Sequence, residues 1–300
     1  MTDKRKVWMN GRMVSEAQAT VPLLSHGFSR GSAIFEAFGV HEGPEGPLVF
    51  RMDEHLKRLQ RSAELLDMEL AYSAQEIIEA VAETVRTNVT GRGLIKIMAY
   101  WGKEAVVKMV PDDKLDVAIF SIQNSHELRL DDAQPQTACL SSWRKLHPET
   151  VPVEAKAVGN YLSGYMARKE AKSRGYDLGL LLDTDGSLAE GSIESVFLVR
   201  NGILLTPPLG RILSSISRMS VLEIADTVEI EAREEDLRPG DLFEAEEIFT
   251  AHSGVKVHPV RRFEERDLTA PGPVTAELMK WVDDTIHFRT DRFSHFFQAL

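Results

Sequence analysis

The stretch Val153-Glu154-Ala155-Lys156-Ala157-Val158-Gly159-Asn160-Tyr161-Leu162-Ser163-Gly164, near the middle of a 300-residue chain, sets one lysine between two alanines. The residues after Lys156 read as the start of a helix, so nothing bulky or oppositely charged adjoins it in sequence. A lysine so placed can meet something larger than a carboxylate. On both sides of it short strand-like and helix-like runs alternate, which predicts an α+β fold with mixed sheets.

Before the stretch, residues 6–14 read as a hairpin, with Asn10-Gly11 filling the two positive-φ positions of a tight turn. Residues 34–40 and 47–50 are extended runs separated by Gly43-Pro44-Glu45-Gly46, which breaks any helix. At Asp53 the period changes. Asp53 is expected to cap a helix whose apolar stripe is Leu56, Leu59, Ala63 and Leu66, and Arg58 beside that stripe reads, on pattern alone, as a solvated arginine. A helix over 74–87 and strands over 93–101 and 114–122 complete a smaller N-terminal α/β domain, residues 1–122. Within it, 102–113 reads as an exposed loop near a possible site.

Residues 123–136 read as a linker and 137–300 as a larger C-terminal domain. That domain opens with a strand over 137–143 and a loop over 144–154. After Lys156 come a helix over 159–173 closed by Gly175, strands over 178–182 and 195–200, and a second Asn-Gly turn at Asn201-Gly202.

The 46 acidic and 35 basic residues give a net charge of −11, which disfavours nucleic acid and anionic membranes as partners. No apolar run approaches the roughly 20 residues that span a bilayer, and the opening residues lack an apolar signal core, so a cytoplasmic setting is expected. Cys139 is the only cysteine, which excludes an intrachain disulfide and a cysteine-based metal site; it reads as a small buried apolar residue, and no metal is expected.

Two further segments carry chemistry. Ser214-Ser215-Ile216-Ser217-Arg218 precedes the apolar stripe Met219, Leu222, Ile224 and Ala225, and so falls on a helix's first turn. Backbone N–H groups and the dipole there attract an anion, although a plain serine cap gives the same pattern. Thr250-Ala251-His252-Ser253-Gly254 ends a strand-like run and can present further backbone donors.

These segments, taken with Glu190-Gly191 and in this order, resemble the fold-type IV pyridoxal-phosphate enzymes. These are the class IV aminotransferases, which include branched-chain amino-acid, D-amino-acid and (R)-amine aminotransferases and aminodeoxychorismate lyase. The likeness runs from Val7-Trp8-Met9-Asn10-Gly11 to about His258-Pro259-Val260. Ser141-Ser142-Trp143, Gly159-Asn160-Tyr161-Leu162-Ser163 and Thr206-Pro207-Pro208 are most similar to the branched-chain branch. The resemblance implies the two-domain fold of D-amino-acid aminotransferase, in which the larger C-terminal domain is a pseudo-barrel. It also implies a homodimer with the site between the two domains of one chain.

The resemblance further implies the roles. Lys156 would bond to the aldehyde of pyridoxal 5'-phosphate and then carry a proton between substrate Cα and the cofactor, work that needs an uncharged amine. Glu190 would face the ring nitrogen, Tyr161 the phenolate oxygen. Arg58, Ile216, Ser217 and Ser253 would hold the phosphate, and Ser253 with Gly254 would offer N–H groups to the substrate carboxylate. Glu194 matches a family acid with no role beyond support.

On the substrate side the chain departs from the branched-chain pattern. Ala37-Phe38-Gly39 follows Phe35-Glu36 where a Gly-hydrophobic-Arg triplet is usual, Arg30 replaces a tyrosine, and Lys96 replaces an arginine. Phe35, Arg30 and Lys96 are therefore the candidate substrate contacts, and Arg30 reads equally as a carboxylate partner or a solvent-facing residue. The expected reaction moves an amino group from a branched-chain L-amino acid to a 2-oxo acid such as 2-oxoglutarate. A D-amino-acid or (R)-amine aminotransferase, a pyruvate-releasing lyase and a cofactor-binding protein without turnover are the alternatives.

Overall fold

The computed structural model describes residues 5–124, 133–253 and 256–300. Most of the expected linker, residues 125–132, and the substrate candidate Gly254 lie outside them. The chain forms two compact units, the first made of residues 1–129, 155–159 and 293–300, the second of 130–154 and 160–292. A linear reading of the chain has no means of seeing the two later segments return to the first unit.

The first unit is built on β1 (Lys6–Met9), β2 (Arg12–Ser15), β3 (Ile34–Gly43), β4 (Gly46–Phe50), β5 (Gly93–Tyr100), β6 (Asp116–Gln123) and β16 (Phe297–Ala299). They form one antiparallel sheet in the order β16-β4-β3-β5-β6-β1-β2. The hairpin between β1 and β2 turns on Asn10 (φ 47°) and Gly11 (φ 85°), as the Asn-Gly pair predicts. Three helices belong to this unit: α1 (His26–Arg30), α2 (Met52–Leu65) and α3 (Ala74–Asn88). Leu56, Leu59 and Ala63 of α2 and Ile77, Val81 and Val85 of α3 enter one core with Ile34, Ile95 and Ile97 of the sheet. Each large side chain so buried contributes about 1.5–3 kcal/mol.

In the second unit the strands are β7 (Gln136–Arg144), β8 (Leu178–Leu182), β9 (Leu188–Glu190), β10 (Ser195–Arg200), β11 (Ile203–Thr206), β12 (Ala232–Glu234), β13 (Glu247–His252), β14 (Lys256–Phe263) and β15 (Arg266–Asp267). Their sheet runs β12-β11-β10-β13-β14-β7-β8-β9, with β15 on β14. The pairs β11–β12, β14–β7 and β7–β8 are parallel and the others antiparallel, so the sheet is mixed as expected of an α+β fold. Helices α4 (Leu162–Ser173), α5 (Ile216–Thr227), α6 (Pro239–Glu244) and α7 (Pro273–Ile286) complete the unit. Among the described residues no helix is long and apolar enough to cross a membrane.

Two local expectations change. Asp53 is not the cap of α2: the cap is Arg51, left-handed at φ 45°, whose N–H donates to Phe296 O and whose guanidinium lies over the Phe296 ring. Asp53 falls in the first turn, where the dipole still favours its charge. Arg58 is not solvated but 7% exposed, because Glu36 of β3 points at it. The helix expected over 159–173 forms, as a 3-10 turn followed by α4, and Lys156 precedes it. Residues 155–157 run beside the start of β3, with Phe35 N–H donating to Lys156 O (3.1 Å) and Val158 N–H to Ala33 O (2.8 Å). A 3-10 turn over Val158–Tyr161 then leads into α4. Small flanks allow this close run: Ala155 and Ala157 are buried, and a Cβ on Gly159 would stand 3.2 Å from Gly31 O.

Candidate active site

In the first unit the lysine segment is fixed from two sides. Besides its pairing with β3, Lys156 N–H donates to Ser62 Oγ (3.0 Å), and that hydroxyl donates to Arg58 O (2.8 Å). Lys156 is buried, and its Nζ stands 4.8 Å from the centre of the Phe35 ring. Lys96 of β5 reaches the same ring, its Nζ at 5.3 Å. Two lysine amines thus lie within cation–π range of one ring.

Phe35 and Glu36 are neighbours on β3, so their side chains leave the sheet on opposite faces. Glu36 is fully buried. Its carboxylate accepts Arg58 Nε on Oε1 and Arg58 Nη2 on Oε2, both at 2.7 Å, and His55 Nδ1 lies 2.6 Å from Oε2. Burial would raise the Glu36 pKa, but the Arg58 charge and hydrogen bonds, joined by His55, outweigh it and hold the group at about 2. Burial pushes the His55 pKa below its ordinary 6.5 against the pull of Glu36. The result is an ionised carboxylate that locks the Arg58 guanidinium in one orientation.

Arg30 sits at the end of α1 with its guanidinium on loop carbonyls: Nη1 donates to Ala105 O (2.8 Å) and Nη2 to Val106 O (3.2 Å). His26 of the same helix holds that loop as well, with Nε2 3.0 Å from Met109 O. Residues 102–113 are therefore strapped to α1 by two side chains.

In the second unit Glu190 ends β9. Oε1 is paired with Lys145 Nζ, and Oε2 accepts Leu213 N–H at 3.4 Å. The turn after it is pinned by Glu194, which accepts Ile193 N–H (2.9 Å) and an Arg168 contact, while Gly191 N–H donates to Glu194 O (2.7 Å). Glu194 thus shapes the turn that presents Glu190. Helix α5 starts at Ile216, with Ser215 as the capping residue accepting Arg218 N–H (3.3 Å). The cap and the anion reading fall on different serines. Ser217 lies buried in the first turn, and its hydroxyl makes no hydrogen bond among the described residues. The N–H groups of Ile216 and Ser217, at the first two positions of the helix, lie ahead of the first carbonyl that the helix could offer them. Ser253 follows β13, half-buried, with His252 Nδ1 3.0 Å from its carbonyl. Tyr161 is half-buried at the entry to α4.

A sequence profile of the family described as Amino-transferase class IV matches residues 33–263. The chain belongs to that family. As a class IV aminotransferase it is similar to the branched-chain-amino-acid aminotransferase of Salmonella typhimurium, at 33% identity over 287 residues and 93% of each chain. Among solved structures it is similar to the branched-chain aminotransferase of Thermoproteus uzoniensis, determined with norvaline, with a TM-score of 0.93, 33% identity and 98% of each chain covered. The PLP form of the Thermobaculum terrenum enzyme superposes with a TM-score of 0.91 at 29% identity over 99% of each chain. The fold-type IV architecture expected from the sequence is therefore the fold of this class IV aminotransferase.

Three residues around the expected set went unread in the sequence. Glu36 was legible in principle, because a carboxylate at an inward position of a strand, between Ile34 and Phe38, demands a buried cation. His55 stands one helical turn before Arg58 and shares that signal. Lys145, assigned to a loop, had none: its burial follows from how β8 and β9 return beside it.

Proposed function

We propose that this protein uses pyridoxal phosphate to move the amino group of a branched-chain L-amino acid to a 2-oxo acid such as 2-oxoglutarate. The observation that carries the reading is Lys156, a buried amine on an aromatic face whose backbone is fixed on one side by β3 and on the other by Ser62. A surface lysine would need no such fixation, whereas a group that must bond covalently to a cofactor and then move a proton does.

The residues present fit the cofactor. Buried Ser217 and the first turn of α5 supply donors suited to a phosphate, and Arg58, oriented by Glu36, brings a charge that matches it. An ionised Glu190 suits a protonated ring nitrogen, and Tyr161 a phenolate oxygen. Bound pyridoxal phosphate supplies an aldehyde that bonds nitrogen and a ring that accepts the electron pair of a deprotonated carbon. In this reading the Lys156 amine would hold the cofactor by its aldehyde and would carry the proton of substrate Cα. Glu190 holds the ring proton. Ser253, with Gly254, orients the substrate carboxylate, and Phe35, Lys96 and Arg30 border the substrate side.

A cytoplasmic homodimer belongs to the same reading. Phe28, Val106, Val107 and Met109 are large apolar residues left exposed, surface that a second copy would cover. A panel of L-amino acids, D-amino acids and (R)-amines, each scored for loss of the cofactor's visible absorbance, tests the substrate. Rapid bleaching by L-valine, L-leucine and L-isoleucine, and by L-glutamate as the amino acid formed from 2-oxoglutarate, with none by D-amino acids or (R)-amines, supports the proposal. Bleaching confined to D-amino acids or amines, or steady pyruvate release without an amino acceptor, contradicts it.

A further inference from the structure

Lys145 is a buried lysine just after β7, with 8% of its side chain exposed, and its Nζ is paired with Glu190 Oε1. Three features of the second unit hold the two together. Arg144 pairs with Leu182 across β7 and β8, and Lys145 N–H donates to Leu182 O at 2.9 Å. Glu190 pairs with Leu181 on the other side of β8. Glu170 of α4 clamps the approach to Lys145, accepting Ser141 Oγ (2.7 Å) and Ser142 N–H (2.9 Å). The lysine and the glutamate therefore flank one end of β8, placed there by sheet register.

A carboxylate with only 12% of its side chain exposed is costly unless a cation meets it. The pair already satisfies that demand before any ligand arrives. We propose that Lys145 is the resident counter-ion of Glu190: it neutralises the carboxylate while the cofactor is absent, then shares it with the cationic ring nitrogen. This rests on the reading that Glu190 faces that nitrogen. Lys145 is then a positioning residue. It keeps the empty site from carrying a bare buried charge, and once the cofactor is bound it weakens the grip of Glu190 on the ring, because two cations divide one anion.

The two roles give opposite signs for two substitutions. Apoprotein is titrated with pyridoxal phosphate, and the dissociation constant and the rise in Tm on loading are measured for wild type, Glu190→Gln, Lys145→Met, Lys145→Gln and Lys145→Arg. Glu190→Gln is expected to weaken binding about tenfold or more, the effect of losing an opposite charge next to a cation. Lys145→Met and Lys145→Gln lower the Tm of the apoprotein yet raise the gain on loading above that of wild type, with binding tighter severalfold. Lys145→Arg stays at wild type on both readouts. If Lys145→Met fails to fold, Lys145→Gln carries the comparison. An unchanged Glu190→Gln removes the reading of Glu190 itself. A weakened Glu190→Gln beside Lys145 variants whose gain on loading matches or falls below wild type leaves that reading standing and overturns the counter-ion role.

Discussion

Arg58 and Glu36 meet through two parallel contacts of 2.7 Å, Nε to Oε1 and Nη2 to Oε2, with the carboxylate wholly out of solvent. The pair joins α2 to β3 and fixes the guanidinium that the proposed function assigns to the phosphate. Removing the acid strands a buried cation, which costs about 3–5 kcal/mol. Glu36→Ala is therefore expected to lower apoprotein stability by about that much in urea unfolding, and to weaken pyridoxal phosphate binding. Glu36→Gln, which keeps an acceptor for the guanidinium, should lose less. A stability within about 0.5 kcal/mol of wild type for Glu36→Ala would contradict the role given to the pair.

The same cluster sets an acid limit. In the folded state Glu36 titrates at about 2 rather than 4.5, so its stabilisation is complete above about pH 4.5 and is lost as pH falls toward 2. The folded-state pKa of His55 is also depressed, so below its ordinary 6.5 the unfolded chain takes up a proton that the folded chain refuses. Both effects have one sign. Stability is expected to fall as pH drops below about 6.5 and more steeply below 4.5. Urea midpoints from pH 7 to pH 3 check this, and Glu36→Gln should flatten the lower part of the curve.

Gly164 stands where α4 meets the loop at Ser192. A Cβ there would fall 2.2 Å from Ser192 O, a backbone atom that cannot swing aside. Gly164→Ala should displace the loop that carries Ile193 and Glu194 and cost about 1–3 kcal/mol, read as a lower Tm. An unchanged Tm would show that α4 and the loop are less tightly apposed than the structure has them.

Arg30 should act as a strap on residues 102–113. Arg30→Ala removes donors from Ala105 O and Val106 O, bonds worth about 1–2 kcal/mol together. Amide exchange over residues 103–110 is expected to quicken by about tenfold, with β5 and β6 unchanged. Arg30→Tyr separates this from substrate contact: a shift in amino-acid preference without faster exchange would place the guanidinium on substrate instead.

Much of this was legible in the sequence, for identifiable reasons. The Asn10-Gly11 turn was legible because its backbone demands residues that tolerate positive φ. The start of α5 was legible because a cap and an apolar stripe are local signals. Arg58 was read on helix periodicity alone as solvated, and it took a strand partner 22 residues earlier to bury it. The return of β16 to β4 has no local signature, since three residues cannot announce a partner strand near residue 50. Lys145 failed for the same reason: its environment is made by β8 and β9, and no pattern in residues 144–154 encodes them.

The central claim is that Lys156 bonds to the cofactor, and it is tested most directly by borohydride reduction of the pyridoxal-phosphate-loaded protein followed by peptide mass analysis. The account predicts one phosphopyridoxyl label per chain on the peptide containing Lys156. That label should be absent from Lys156→Ala, although the variant still binds cofactor. A label on Lys96 or Lys145, or a wild-type protein that takes up no pyridoxal phosphate, would contradict it.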